Sequence, residues 1–392
     1  MKNYLRQVNR RNTNCYKWDS IEDNKDLIPL WVADMEFQAP KEIVDTVVRR
    51  AKHPAYGYVR VPDEYYFAVC NWFNEIHNWR FLKTDVLYTT GVIPALSAVI
   101  KAVTKPNDNV LIFTPVYNHF YSSIKNNDCN IISCPLKRDE NFVYHIDFDD
   151  FKAKIKNAEV VLLCNPHNPV SRVFTEDELT EIAKICKENN TFVISDEIHC
   201  EIVMDGFKYT PFGIVADKFN LKYAVCSSPS KTFNIASLQI ANIVCKDSEY
   251  RRRIDRAINI NECCDVNPFG IEALITGYTS EGCRYYIKNL NNVIYSNFLS
   301  AKHLLEKELP KVKITPLEGT YLMWIDCSEL NKKSKEIEDE LLKFYNLWLS
   351  AGTLYGEEGE GFMRINLACP EEMLIKGINR FIAYYKEIES KK

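Results

Sequence analysis

The chain has 392 residues, 46% of them hydrophobic and 26% charged, with a formal net charge of −4. That length exceeds one ordinary hydrophobic core and predicts two or three domains, while the small charge argues against nucleic acid or an anionic membrane as the main partner. No apolar window approaches bilayer length, "MKNYLRQVNRRNTN" lacks the apolar run of a secretory signal, and the 14 cysteines include no CxxC, so reduced thiols in a cytoplasm are expected.

In chain order, the first 45 residues form a segment expected to pack against a small C-terminal domain. A large domain is expected over 46–285. Within it, short apolar runs alternate with helical stretches: "VLYTT" (86–90), "NVLIFTP" (109–115), "NIISCPL" (130–136), "VVLLCNP" (160–166), "TFVISDE" (191–197), "KYAVCSS" (222–228) and "IANIVCK" (240–246). Most are continuously hydrophobic, as strands buried on both faces of a mainly parallel sheet must be. Between two of them, "TEDELTEIAKICKENN" (175–190) carries a capping box, Thr175 with Glu178, and an apolar stripe of Leu179, Ile182, Ala183 and Cys186. The pattern predicts a doubly wound α/β domain with a seven-stranded sheet between helices. The pair Cys263–Cys264 has no partner cluster and is assigned no metal. From 286 to 392 the texture changes to a smaller α+β domain. There, 291–310 reads as one long helix ended at Pro310, "GTYLMWIDCS" and "GFMRINLAC" as strands, and "MLIKGINRFIAYYKEI" as a closing helix.

In such sheets ligands sit beyond the C-terminal ends of the strands. Five loops occupy those positions. "SDEIH" puts Asp196 at the end of a buried strand, where a carboxylate needs a partner. "NPHNP" offers Asn168 in a stiff turn, "TPVY" offers the aromatic Tyr117, and "TTGVIPAL" places Gly91, Val92 and Ile93 at a helix N-terminus suited to an anion. "SSPSK" delivers Lys231. Singly, each is also an ordinary loop, salt bridge or packing residue. Together they suit one ligand with an aldehyde for Lys231, a ring nitrogen for Asp196, a phenolic oxygen for Asn168, a ring face for Tyr117 and a phosphate for 91–93. Pyridoxal 5′-phosphate is such a ligand.

The ordered series "YGY" (56–58), "TTGVIPAL", "TPVYNHFY", "NPHNPVSRVFT", "SDEIH", "SSPSKTFNIASLQ" and "FMRINLACP" resembles the class I/II aminotransferase superfamily, the fold type I pyridoxal-phosphate enzymes. Within it the chain most resembles the cystathionine β-lyase/C–S lyase branch, from "LWVADMEF" (30–37) to "RINLACP" (364–370). The resemblance implies that Lys231 carries the Schiff base and Asp196 faces the pyridinium. His199 stands where many relatives have a tyrosine at the phenolic oxygen, and Asn168 is the other donor there. Ser228 and Ser230 join Gly91 and Val92 around the phosphate, and Tyr58 reaches a neighbouring subunit's phosphate, which implies a homodimer with shared sites. Arg364 holds the substrate α-carboxylate, with Ala33, Asn168 and Tyr121 on the substrate side. Two positions depart from the pattern. Gln239 stands where many aminotransferases have a phosphate-binding arginine, which favours the lyase branch. Ser171 replaces an expected glycine and is strained if its backbone needs a positive φ.

The expected activity is α,β-elimination on L-cysteine, cystathionine or related S-conjugates, giving pyruvate, ammonia and a thiol or sulfide. Lys231 removes the α-proton and Tyr117 protonates the departing sulfur. The alternative is an aminotransferase of broad or aromatic specificity, which would use the same cofactor residues.

Overall fold

A computed structural model of the protein describes residues 5–21, 24–261 and 266–391; Cys263 and Cys264 lie outside them. All seven predicted apolar runs enter one sheet: β1 (Val86–Thr89), β2 (Asn109–Thr114), β3 (Asn130–Pro135), β4 (Val160–Cys164), β5 (Phe192–Asp196), β6 (Tyr223–Ser227) and β7 (Ala241–Val244). Their spatial order is β1-β7-β6-β5-β4-β2-β3. Neighbours from β6 through β3 run parallel, and β7 is antiparallel to both β1 and β6. Strands β4, β5 and β6 are buried along their whole length, which accounts for their unbroken apolar composition.

Helices cover both faces. Helix α1 (Val92–Val103) follows β1 and packs on the sheet through Ala95, Leu96 and Val99; α2 (Asn118–Lys125) follows β2. Helix α3 (Glu176–Glu188) starts at the predicted capping box, with Thr175 Oγ1 accepting from Glu178 N–H and Glu178 Oε2 from Thr175 N–H. The long helix α4 (Glu281–Glu308) begins ten residues before the predicted start at 291. Its asparagines do not interrupt it, because the side chains find carbonyl partners on adjoining segments: Asn291 donates to Glu201 and Val203, and Asn297 to Leu367 and Cys369.

A second sheet is antiparallel: β8 (Lys313–Ile314), β9 (Leu322–Asp326), β10 (Ser350–Ala351) and β11 (Phe362–Asn366), in the order β8-β9-β11-β10. The closing helix α5 (Glu371–Ser390) packs along α4. Residues 28–37 lie beside this second sheet. Ile28–Pro29 pairs in parallel with Leu347–Trp348, Asn366 N–H donates to Leu30 and Glu36 N–H to Ala368. Among the described residues, no helix is long and apolar enough to cross a membrane.

Candidate active site

The sheet register assembles the site. Cys164 of β4, Asp196 of β5 and Cys226 of β6 pair across adjacent strands, so three chain segments leave the sheet side by side at its C-terminal edge. Alternation along β5 sends Asp196 to the α1 face and Glu197 to the opposite one. There Glu197 accepts from Ser195 Oγ (2.7 Å), Phe212 N–H (2.9 Å) and Tyr209 OH, which pins the strand end. Beyond it, Glu201 accepts from Trp72 Nε1 (2.6 Å) and meets His77 Nε2 (2.7 Å), securing the turn that carries His199.

A cavity of about 170 Å³ opens at this edge. Asp196, Asn168, His199, Lys231, Ser230, Tyr117, Gly91, Val92, Ile93 and Ala33 line it, so that Ala33 and Lys231, 198 positions apart in the chain, meet here. Pro94, Cys164, Ile198 and Ala236, none singled out from sequence, complete the lining. The N-terminus of α1 faces it at Gly91, with no side chain capping the first amides. Asp196 is buried, with Ile198 N–H donating to Oδ1 at 3.1 Å; burial drives its carboxyl up to about 7, against a smaller pull from Lys231. Burial also holds His199 neutral, assisted by Lys231 and Arg364, and its Nδ1 is buried without a partner.

Lys231 sits in a one-turn helix (Ser230–Phe233) after β6. Its ammonium donates to the carbonyl of Ala33, which also accepts from Tyr321 OH at 2.9 Å. Burial, then Arg364, lowers this lysine, to about 8 after the opposing attraction of Asp34. Asn234 ends the helix in the left-handed conformation and bonds Met35 and Phe37 (2.8–3.2 Å), tying the lysine's helix to residues 33–37. Arg364 projects from β11, pairing Nη1 with Asn168 Oδ1 (3.0 Å) and Nη2 with the carbonyl of Trp31 (2.7 Å), over the ring of Tyr355. Its Nε is buried and unpartnered. Burial and the nearby Asp196 push the Tyr117 hydroxyl well above its ordinary range.

Three predicted site residues, Ser228, Tyr121 and Tyr58, stand outside the lining, as does Arg364, which reaches it only through Asn168. Ser228 lies behind Ser230, its Oγ 2.7 Å from Ser230 Oγ and donating to the carbonyl of Ile240. Tyr121 donates to the carbonyl of Tyr355 at 3.0 Å, outside the cavity lining. Tyr58 is 94% exposed and points into solvent. Gln239 is exposed in a left-handed turn. Ser171 does adopt a positive φ, of 61°. Its hydroxyl bonds the carbonyl of Leu322 and meets Thr320 Oγ1 (3.3 Å), while its carbonyl accepts from Glu318 and Gly319 N–H. These bonds offset a cost that glycine would not incur. Trp31, Tyr321, Tyr355 and Asn234 escaped the sequence reading because they act through carbonyls, ring faces or a helix end; no residue pattern reports such contacts.

Residues 25–381 match the family model for aminotransferase class I and II. The chain is 35% identical over 386 residues to cystathionine beta-lyase PatB of Bacillus subtilis, covering 97% of this chain and 99% of that protein. Cystalysin from Treponema denticola, whose crystal structure contains pyridoxal 5′-phosphate, superimposes with a TM-score of 0.93 at 32% identity, covering 98% of this chain and 99% of that one. A pyridoxal-phosphate-bound C–S lyase from Staphylococcus hominis, in complex with L-cycloserine, gives 0.91 at 29% identity, covering 98% of both chains. The chain belongs to the class I and II aminotransferase family, in its carbon–sulfur lyase branch.

Proposed function

We propose that this protein cleaves the Cβ–S bond of L-cysteine, cystathionine or related cysteine S-conjugates, releasing pyruvate, ammonia and a thiol or sulfide. It is a pyridoxal-phosphate-dependent carbon–sulfur lyase. The observation that carries the substrate reading is that Lys231, Asp196 and Asn168 line one cavity while Arg364 bonds Asn168 at 3.0 Å: a reactive amine and a buried acid, with a carboxylate-binding guanidinium one hydrogen bond away.

The residues fit the cofactor on three counts. Asp196 is a buried carboxyl suited to a cationic ring nitrogen. His199 Nδ1 is a buried polar atom without a partner, placed with Asn168 to bond a phenolic oxygen. The uncapped N-terminus of α1, with Ser230, suits a phosphate. Bound there, the cofactor supplies the electron sink for a carbanion at Cα.

The chain's own residues do the rest. Arg364, held flat by Asn168 and the Trp31 carbonyl, takes the substrate α-carboxylate in a two-pronged grip. Lys231, lowered to about 8, is in part neutral near physiological pH and accepts the α-proton. Tyr117 keeps its proton at that pH and donates it to the departing sulfur. The eliminated enamine takes up water to give pyruvate and ammonia.

The deciding assay incubates the holoenzyme with cystathionine, L-cysteine and S-alkyl cysteines and measures pyruvate, ammonia and sulfide or thiol. Pyruvate in step with ammonia supports elimination. Amino transfer to a 2-oxo acid, with no pyruvate from cysteine, overturns it in favour of an aminotransferase. We infer further a homodimer in which the exposed Tyr58 reaches the neighbour's phosphate; a monomer at active concentrations in sedimentation would exclude it. The described cysteines are all free, supporting a reducing, cytoplasmic location. The separation into two sheets supports a large domain over 46–285 and a small one over 286–392.

A further inference from the structure

Behind the cavity lies a cluster of four charges that the chemistry above does not use. Lys17 has a fully buried side chain, with Nζ 2.7 Å from Glu36 Oε1 and 3.3 Å from Asp34 Oδ1. Arg10, at the rim, pairs with both carboxylates and bonds the carbonyl of Met35 at 3.1 Å. Trp18 Nε1 donates to the second oxygen of Glu36 at 2.8 Å. Two acids and two bases balance to zero. Burying them costs several kcal/mol per ion, and a packed apolar group would do the same structural work at less cost. Such a cluster calls for a role beyond stability.

Its position supplies one. Asp34 and Glu36 flank the segment whose preceding carbonyl, Ala33, accepts from Lys231. One side of that segment is held by Asn234, three residues after Lys231, and by Asn366, which donates to the carbonyls of Val32 (2.6 Å) and Asp34 (2.5 Å). The charge cluster holds the other side. We propose that Lys17 and Arg10 are positioning residues: an ionic latch between the N-terminal segment and residues 34–36 that keeps the Ala33 carbonyl at the amine of Lys231 and sets the electrostatic environment of that amine.

The charged groups facing Lys231 are Asp34, Arg364, Asp196 and Lys17, with His119 and His199 also within its field. Lys17 therefore acts on Lys231 in two ways, directly as a cation and by neutralising Asp34, and Arg10 acts by neutralising Asp34. Removing either cation favours the protonated state of the Lys231 nitrogen, so both changes act in the same sense.

The inference rests on Lys231 being the cofactor-bound amine. Lys231→Ala tests that reading separately, since it abolishes the cofactor's visible band, whereas a failed latch leaves the band intact. The test follows that band against pH in holoenzyme carrying Lys17→Met, Arg10→Met or Arg10→Lys. The latch predicts that Lys17→Met raises the pH midpoint by about half a unit or more and lowers kcat about tenfold, with KM changed less. Arg10→Met shifts the midpoint the same way by less, and Arg10→Lys restores it. An unchanged midpoint in both methionine variants overturns the proposal, as does Arg10→Lys behaving like Arg10→Met. Should Lys17→Met not fold, the rim residue Arg10 decides alone.

Discussion

Replacing Asp196 by Asn should stabilise the apoprotein at neutral pH while weakening its hold on the cofactor. Asp196 is 2% exposed, and its carboxyl, ordinarily near 3.8, is driven to about 7 by burial. A carboxyl raised in the folded state binds more protons there than in the unfolded chain. Its contribution to stability is therefore fully present below pH 4, declines as pH rises toward 7, and is flat above. That displacement corresponds to an upper bound of about 4 kcal/mol; water in the open cavity reduces it, so about 2 kcal/mol is a realistic expectation. Asn keeps the bond from Ile198 N–H, since its amide oxygen can take the place of Oδ1. The assay is urea unfolding of cofactor-free wild type and Asp196→Asn at pH 4 and pH 8, at one protein concentration, followed by circular dichroism. Asp196→Asn should gain on wild type only at the higher pH, and added pyridoxal phosphate should raise the wild-type midpoint more than the variant's. Glu197, likewise raised to about 7 by burial, gives the same slope in both proteins and cancels from the difference. A stability difference independent of pH would refute the reasoning.

Arg364→Lys should raise KM and reduce kcat/KM by about a hundredfold, because a single ammonium cannot reproduce a guanidinium held between Asn168, the Trp31 carbonyl and Tyr355; steady-state kinetics with an S-alkyl cysteine checks this, and near-wild-type KM would contradict it. At Ser171, with φ at 61°, Ala should cost more stability than Gly. Alanine retains the positive-φ penalty of about 1 kcal/mol and loses the hydroxyl bonds to Leu322 and Thr320, whereas glycine loses only the bonds. Thermal unfolding of the two variants, compared at equal concentration, ranks them; alanine equal to or better than glycine would contradict the account.

Much of the fold was legible because strands buried on both faces must be continuously apolar, and a run such as "VVLLC" can satisfy that constraint in few ways. The same holds for α3, whose start is written in Thr175 and Glu178. The strand-end rule then pointed to Lys231, Asp196, Asn168 and Tyr117 before any contact was known. The predicted start of α4 at 291 left out its first ten residues, although Cys283, Tyr286 and Leu290, buried along that stretch, already stand at helical spacing.

Local sequence thus determined which segments are strands and helices and which side chains carry chemistry, since burial and capping are properties of a few neighbouring residues. Tertiary structure alone decided what those side chains face. The pairing of Cys164, Asp196 and Cys226 puts the acid level with its neighbours, Asn168 and Trp31 set the plane of Arg364, and Ala33 meets Lys231 from 198 residues away. The two acids of "ADMEF", Asp34 and Glu36, take cationic partners that no local pattern names. Only the fold identified them as Lys17 and Arg10, because the free energy of a buried charge depends on partners that the chain brings together in space.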